Sequence, residues 1–253
     1  MNTGVKLSII TPVKNDLSNL SYTLKNLKKI PQDIVEHIII DGNSSDGSLA
    51  FIKKFEKLKN YKVLSQQSET IYGAFNEALK ISQGIFVIFL HCGDILHLEE
   101  VLDIISKNSE TDVLACSCSQ TLNTGKKFIY LRSERQKLSK NSTSILQSSL
   151  IIKLKKYKEV NFYDETLSVS SDVDCIIKII KTGAKIKYFD NVICDMKEYG
   201  ISNKKYFNKI LDHSIIKFRH IGFFDGITYV PKRILKDIFI IPLWKIYKNL
   251  TSL

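Results

Sequence analysis

Gly84-Ile85-Phe86-Val87-Ile88-Phe89-Leu90-His91-Cys92-Gly93-Asp94 is an apolar run long enough for one buried strand, and it ends in a single carboxylate. A carboxylate at the carboxyl end of a buried strand lies where open α/β sheets bind ligands. A second run, Ile38-Ile39-Ile40, ends the same way at Asp41-Gly42. Two strands that deliver acids to one edge point to a site for a cation and a phosphate-bearing ligand.

Outward from that stretch, the first half of the chain alternates strand and helix. Leu7 to Thr11 is strand-like and stops at Pro12, and Leu17, Leu20, Leu24 and Leu27 recur at helical spacing. Val35 to Ile40 predicts a strand, Ser48 to Leu58 a helix, Tyr61 to Leu64 a strand and Ile71 to Ile81 a helix. This order predicts an α/β fold with a mostly parallel central sheet covered by helices. Beyond Asp94 the pattern loosens. Helices are expected over Leu98–Ser106 and Ser171–Lys181, and strands over Val113–Ser117, Lys126–Leu131 and Ala184–Phe189. A polar loop is expected over Ser133–Ser144, and helices from Tyr206 onward.

At 253 residues, 44% hydrophobic and 25% charged, the chain has the composition of a globular α/β domain with a short appendage. No run approaches the ~18 apolar residues of a membrane span. The start, Met1 to Lys6, shows no secretory pattern, so no signal peptide is expected. The five cysteines form no Cys-x-x-Cys pair and are odd in number, which favours reduced thiols in the cytosol over a disulfide framework or a zinc site.

The formal charge is +11, and the stretch from Asn203 to Leu253 holds ten Lys/Arg against three Asp. A basic end mixed with large apolar residues fits an anionic membrane surface at least as well as nucleic acid. No nucleic-acid recognition motif accompanies the charge, so no nucleic-acid partner is expected. The charge balance shifts near Ser202-Asn203, dividing the chain into 1–202 and a basic, amphipathic helical extension, 203–253.

The acids have plain readings as well as functional ones. Asp41-Gly42-Asn43-Ser44-Ser45-Asp46-Gly47-Ser48 reads as a turn between strand and helix, with two glycines for unusual backbone angles and Asp46 or Ser45 as a helix cap. Capping does not account for Asp41 at the strand end. Asp94 reads as a turn acid or as a hard oxygen ligand for Mg²⁺ or Mn²⁺ beside a diphosphate. His91 and Cys92, without partners at ligand spacing, read as strand-end packing. Asp172 and Asp174 open a helix, where they serve either the helix dipole or a general base. The other histidines, His37, His97, His213 and His220, show no paired ligand spacing. No phosphate-binding P-loop, dinucleotide fingerprint or nucleophile elbow is present.

Taken in order, these segments resemble the family 2 glycosyltransferases, with the GT-A fold. Leu7 to Asn15 is similar to the family's first strand and nucleotide-facing turn. Asp41 to Ser48 is similar to its Asp-Gly-Gly-Ser-Thr-Asp-Gly-Thr motif, and Ile71 to Asn76 to Ile-Tyr-Asp-Ala-Met-Asn. Phe89 to Asp94 resembles the Phe-Leu-Asn-Ser-Gly-Asp form of the metal-binding motif, and Gln147-Ser148-Ser149 the His-Gln-Ser segment. Asp164-Glu165 and Ser171 to Asp174 resemble the acceptor-side acids, and Tyr199-Gly200-Ile201-Ser202 the Gly-Gly-Ile-Ser segment.

The resemblance implies inverting transfer of a sugar from a nucleotide-diphosphate sugar to an acceptor hydroxyl, in polysaccharide or glycolipid synthesis at the cytosolic membrane face. It implies that Thr11, Pro12 and Asp41 hold the nucleoside, Asp94 a divalent Mn²⁺ or Mg²⁺, and that Asp172 is the base. It puts Tyr72, Asn76, Gln147 and Asp174 on the donor or acceptor side. A glycan or a lipid-linked acceptor would be the second substrate. The chain departs from the pattern at Gln66 and Ser68, which replace acids, at Thr70, which replaces glycine, at Gly73, which replaces aspartate, and at Leu146, which replaces histidine. These losses leave a second reading, a catalytically silent module of the same fold that binds a nucleotide or a partner enzyme. Residues 231–253 place Lys232, Arg233 and Lys236 opposite Ile234, Leu235, Ile238 and Phe239, with Trp244 and Tyr247 beyond Pro242, and are expected to contact an anionic membrane.

Overall fold

The computed structural model describes residues 4–27, 30–122, 125–130, 138, 146–197 and 206–235. The Tyr199–Ser202 segment, the boundary at Ser202-Asn203, the tail from residue 236 and all of the 133–144 loop except Leu138 lie outside them.

The first half alternates as the apolar pattern predicts: β1 (Leu7–Val13), α1 (Leu17–Asn26), β2 (Val35–Asp41), α2 (Ser48–Ile52), β3 (Tyr61–Ser65), α3 (Ile71–Ile81) and β4 (Phe86–Phe89). The helix expected over Ser48–Leu58 ends at Ile52 and continues as a single 3₁₀ turn, Lys53–Phe55. A two-residue strand, β5 (Ile95–Leu96), precedes α4 (Leu98–Lys107), and β6 (Val113–Thr121) pairs with β7 (Lys127–Tyr130). β8 (Leu150–Lys153), α5 (Leu154–Glu159), α6 (Ser171–Lys181), β9 (Ile186–Lys197), α7 (Tyr206–His220) and α8 (Phe223–Leu235) follow.

The strands form one sheet in the order β3-β2-β1-β4-β8-β6-β9-β5, with β7 beside β6. β3, β2, β1 and β4 are parallel. β8 then lies antiparallel between β4 and β6, while β9 runs parallel to β6. The sequence reading contained neither β8 nor β5. Leu150-Ile151-Ile152-Lys153 is four residues long and runs without a break into α5, so only its pairing with β4 and β6 defines it. β6 and β9 outrun their apolar runs because each supplies the other's hydrogen bonds across a register shift between Ala115 and Cys118.

All seven residues of β2 are buried, as befits a strand covered on both faces. Ile10, Ile38, Ile40, Val87 and Phe89 pack against Phe75 and Leu79 of α3 and Val173 and Ile177 of α6. On the opposite face Leu7, Ile9, Phe86 and Ile88 pack with Val101, Ile104 and Ile105 of α4.

Entry into β4 is set by a polar knot. Ser8 Oγ donates to Glu36 Oε1 at 2.6 Å, and the Gly84 N–H donates to Ser8 Oγ at 2.9 Å. Glu36 also pairs with Lys62 at 2.6 Å. A Cβ at Gly84 would stand 2.4 Å from the Ser8 backbone nitrogen, so glycine is required by space. Gly84→Ala is expected to destabilise the fold by about 1–3 kcal/mol, the cost of overpacking, read as a lower urea midpoint at unchanged slope.

Candidate active site

The donor-side turn is zipped from two strand ends. The Ser44 N–H donates to Asp41 Oδ2 at 2.9 Å, the Asn15 N–H to Ser44 Oγ at 2.9 Å, and the Ser45 N–H to Asn15 Oδ1 at 2.7 Å. Asp46 accepts from Ser48 N–H at 3.0 Å and from Leu17 N–H at 2.9 Å, so it ties the starts of α1 and α2 together. Gly47 has φ +94°, as expected of a turn glycine, but the other left-handed residue is Asn43 (φ 61°) and not Gly42. A Cβ at Gly42 would crowd the Gln66 and Lys14 side chains at 3.1–3.3 Å.

Asp41 is wholly buried, and its Oδ1 has no hydrogen-bond partner. An unpaired buried carboxylate oxygen at a strand end is an acceptor waiting for a donor. Thr11 is different. Its side chain is buried and shares a 2.9 Å hydrogen bond with His37 Nε2, so the hydroxyl is turned into the sheet. Burial holds the His37 imidazole neutral, with its pKa pushed down to about 3. Pro12 is half-buried, and its carbonyl accepts from Cys92 Sγ at 3.4 Å.

Asp94 follows Gly93, whose φ of +93° turns the chain back after β4. The Gly93 N–H donates to Thr23 Oγ1 at 2.8 Å, and that hydroxyl donates to the Asp94 carbonyl at 2.9 Å, clamping the turn to α1. The carboxylate itself is weakly held. Ser148 Oγ donates to Oδ2 at 3.2 Å and the Lys197 N–H to Oδ1 at 3.3 Å. Burial raises its pKa to about 7, more than these bonds lower it.

A buried carboxylate with long hydrogen bonds, which feels the Lys197 charge but makes no close ion pair among the described residues, has room for a further cation. The described residues contain no cluster of three or more acidic, His or Cys side chains that could cage a metal. Asp94 therefore fits a divalent ion that takes its remaining ligands from a bound diphosphate and water. The neighbouring soft groups do not compete. The Cys92 thiol is pushed up to about 12 by burial and stays protonated, and the His91 ring is lowered by burial and bonded to Gln147.

Asp172 lies in the first turn of α6. The Val173 N–H donates to its Oδ1 at 2.9 Å and Tyr72 Oη to the same oxygen at 3.4 Å. Desolvation outweighs these donors and lifts its pKa to about 6. Tyr72 is itself raised by burial and by the Asp172 charge, so it remains a donor. The sign for stability follows. The neutral Asp94 and Asp172 carboxyls contribute stability fully below about pH 4, and the contribution is lost as pH rises through about 6 and about 7.

Asp174 leaves the site. It is buried between Lys178 (2.6 Å), His220 (2.8 Å) and Arg219 (3.8 Å), and so anchors α7 to α6. Asp212 of α7 accepts from the Val169 and Ser170 N–H groups at 2.7 and 3.0 Å, fixing the turn just ahead of Asp172.

Gln147 and Asn76 have positioning roles. Gln147 Nε2 donates to Tyr163 Oη at 2.7 Å, next to the Ser148 that touches Asp94. The Tyr163 ring packs against Tyr72 with centroids 5.5 Å apart, and Tyr72 reaches Asp172. Asn76 accepts from Tyr163 N–H at 3.0 Å and donates to its carbonyl at 3.0 Å and to Glu165 Oε1 at 2.9 Å. The altered 66–73 segment is internally consistent. A Cβ at Gly73 would fall 1.8 Å from Ser68 Oγ, and Ser68 donates to Glu165 Oε2 at 3.3 Å. Thr70 caps α3 by accepting from the Gly73 N–H at 2.9 Å.

Ser148, Tyr163, Lys197 and Asp212 escaped the sequence reading as site residues. Only Ser148 carried a signal, inside the Gln-Ser-Ser segment; the others reach the site through tertiary contacts.

Residues 8–171 match the sequence model of glycosyl transferase family 2. The poly(ribitol-phosphate) beta-N-acetylglucosaminyltransferase TarP of Staphylococcus aureus (strain N315) is 31% identical over 111 residues, which are 42% of this chain and 34% of that protein. The chain thus spans about a third of TarP. A dolichyl N-acetyl-alpha-D-glucosaminyl phosphate 3-beta-D-2,3-diacetamido-2,3-dideoxy-beta-D-glucuronosyltransferase of Methanococcus voltae is 23% identical over 255 residues, 89% of this chain and 77% of that one. Among solved structures, S. aureus TarS 1–349 in complex with UDP-GlcNAc superposes with a TM-score of 0.67 at 18% identity, covering 92% of this chain and 73% of that one. A mannosyltransferase of Pyrobaculum calidifontis in complex with GDP-Man and Mn²⁺ gives 0.61 at 14% identity, covering 85% and 62%. These likenesses establish the GT-A fold. With its match running from the first strand into the start of α6, the chain belongs to glycosyl transferase family 2.

Proposed function

We propose that the chain is an inverting glycosyltransferase that moves a sugar from a nucleotide-diphosphate sugar to the hydroxyl of a glycan or lipid-linked acceptor, in polysaccharide or glycolipid synthesis at the inner membrane face. The observation that carries this reading is the contact path from Asp94 through Ser148-Gln147, Tyr163 and Tyr72 to Asp172, which links a buried acid to a half-buried one, both of raised pKa. The complexes of TarS with UDP-GlcNAc and of the P. calidifontis enzyme with GDP-Man and Mn²⁺ support a nucleotide-sugar donor and a divalent ion. The division into a transferase part, 1–202, and an extension, 203–253, belongs to the same proposal.

In this mechanism the free Oδ1 of Asp41 accepts a hydrogen bond from the nucleoside, with Pro12 at the end of β1 beside it. Thr11 contributes by shaping β1, since its hydroxyl is committed to His37. Asp94 would hold the divalent ion, which when bound neutralises the departing diphosphate as a Lewis acid. Both hydrogen bonds to Asp172 go to Oδ1, which leaves Oδ2 for the acceptor hydroxyl. Oδ2 takes the hydroxyl proton as the acceptor oxygen bonds the anomeric carbon. The bond from that carbon to the diphosphate breaks, and its electron pair leaves with the nucleoside diphosphate. A pKa of about 6 keeps Asp172 ionised at neutral pH and makes it a stronger base than an ordinary aspartate.

The silent-module reading draws on Ser68 filling the space over Gly73. One experiment separates the two. Binding and transfer are measured for a panel that includes UDP-GlcNAc and GDP-Man, with and without Mn²⁺. Binding without turnover on any acceptor favours the silent module, and no binding with metal sinks the transferase reading and leaves only a module that binds a partner enzyme. Asp94→Ala is expected to abolish the Mn²⁺ dependence of donor binding in calorimetry. Asp172→Asn is expected to lower transfer by about 10²–10⁴-fold while donor affinity stays within about twofold. At saturating Mn²⁺, which holds Asp94 ionised, kcat/KM of the parent should rise with pH through about 6 and level off roughly one unit higher, and the variant should lose that rise.

A further inference from the structure

Phe207, Leu211, Ile215 and Phe218 recur every three or four residues along α7 and share one side of the helix. All four are exposed, Phe207 at 67%. On α8, Phe223, Phe224, Ile227 and Leu235 are also exposed, Phe224 at 79%. Eight of the fifteen large apolar side chains exposed among the described residues lie on this one hairpin, which marks it as a contact surface and not as the ordinary scatter of exposed apolar groups. Ring contacts of 5.7 Å from Phe218 to Phe223 and from Phe223 to Phe224 join the two helices' exposed apolar residues at the turn.

The hairpin is held firmly, so its exposed side is not a consequence of loose packing. Ile210, Asp212, His213 and Ile216 are the buried residues of α7. Asp212 binds the Val169-Ser170 backbone, and His220 binds Asp174. α7 therefore touches the turn ahead of Asp172 with one face and presents bulky apolar groups on another. The charge around those groups is basic: Lys209, Lys217, Lys232 and Arg233 against Asp225 and the buried Asp212, with Arg219 already paired to Asp164.

We infer that α7 and α8 form the surface by which the chain lies on an anionic lipid bilayer, with Phe207, Leu211, Phe224 and Ile227 entering the interface. Two copies would bring like basic charges together, whereas anionic headgroups neutralise them. No helix among the described residues is long and apolar enough to cross a membrane, which fits a surface that rests in the interface. The proposal puts a contact on the 207–227 face; the expectation for 231–253 lies mostly outside the described residues. That a lipid-linked acceptor is delivered there rests on the function proposed above; the lipid contact itself does not.

The test is flotation of the full chain with vesicles of phosphatidylcholine alone and of phosphatidylcholine with phosphatidylglycerol, at low and high salt. Binding is expected to the anionic vesicles and to weaken with salt. The pairs Phe207→Ser/Leu211→Ser and Phe224→Ser/Ile227→Ser are each expected to lower partitioning by about tenfold or more, with an unchanged melting temperature. Two pairs on separate helices keep the test valid if one impairs folding. Donor binding in the absence of vesicles reports the transferase reading separately. The inference is overturned by no vesicle binding, or by equal binding to neutral vesicles. It is overturned if both pairs bind as the parent does while Trp244→Ser/Tyr247→Ser does not, which assigns contact to the tail. A concentration-dependent dimer in sedimentation that the same pairs abolish assigns the face to a second copy and also overturns it.

Discussion

The parallel pairing of β1 with β2 on one side and β4 on the other is the constraint from which the site follows. Ile10 lies opposite Ile38 and Phe89, and Val13 lies opposite Asp41. Parallel strands in register end at one edge, so the chain after β2 and the chain after β4 both deliver their acids there. The register depends on a close approach, since the Gly84 N–H reaches Ser8 Oγ and Glu36 accepts from both Ser8 and Gln83. Helices on both faces then remove water, and desolvation gives Asp94 and Asp172 their raised pKa values. The same burial that stabilises the sheet thus makes the acids costly to ionise.

Tyr163 lies at the centre of the contacts between Asp94 and Asp172. Its ring packs with Tyr72, Phe75, Phe89 and Tyr157, and its hydroxyl accepts from Gln147. Its backbone is gripped on both sides by Asn76. Several polar residues that resemble family motif positions therefore act by holding this tyrosine. Departures from the family pattern are likewise compensated locally. The absent side chain at Gly73 leaves room for Ser68, which brings the loop to Glu165, and Gln66 Nε2 ties that loop by donating to the Ser68 and Thr70 carbonyls at 2.5 and 2.8 Å.

Asp172 and Asp174 show how two similar acids part company. Both lie in the first turn of α6, and the sequence pattern leaves either able to serve the helix dipole or a reaction. The separation comes from their neighbours. Asp172 meets the Tyr72 hydroxyl and the Val173 N–H, while Asp174 meets Lys178, Arg219 and His220. Two of those three partners come from α7, far along the chain, and local spacing carries no record of them.

From the sequence alone, the alternating strands and helices, the mostly parallel sheet and the terminal acids Asp41 and Asp94 were legible, because periodic burial and strand ends are local properties. The motif order also identified the family that the match over 8–171 establishes. Tertiary structure decided the remainder: the four-residue β8 between β4 and β6, the commitment of Thr11 to His37, the loss of Asp174 to an ion-pair cluster, and the exposed apolar face of α7. Each of these depends on which distant groups meet and which stay in contact with water. Desolvation and pairing are set by the packed neighbourhood, and a run of residue types specifies that neighbourhood only after it has folded.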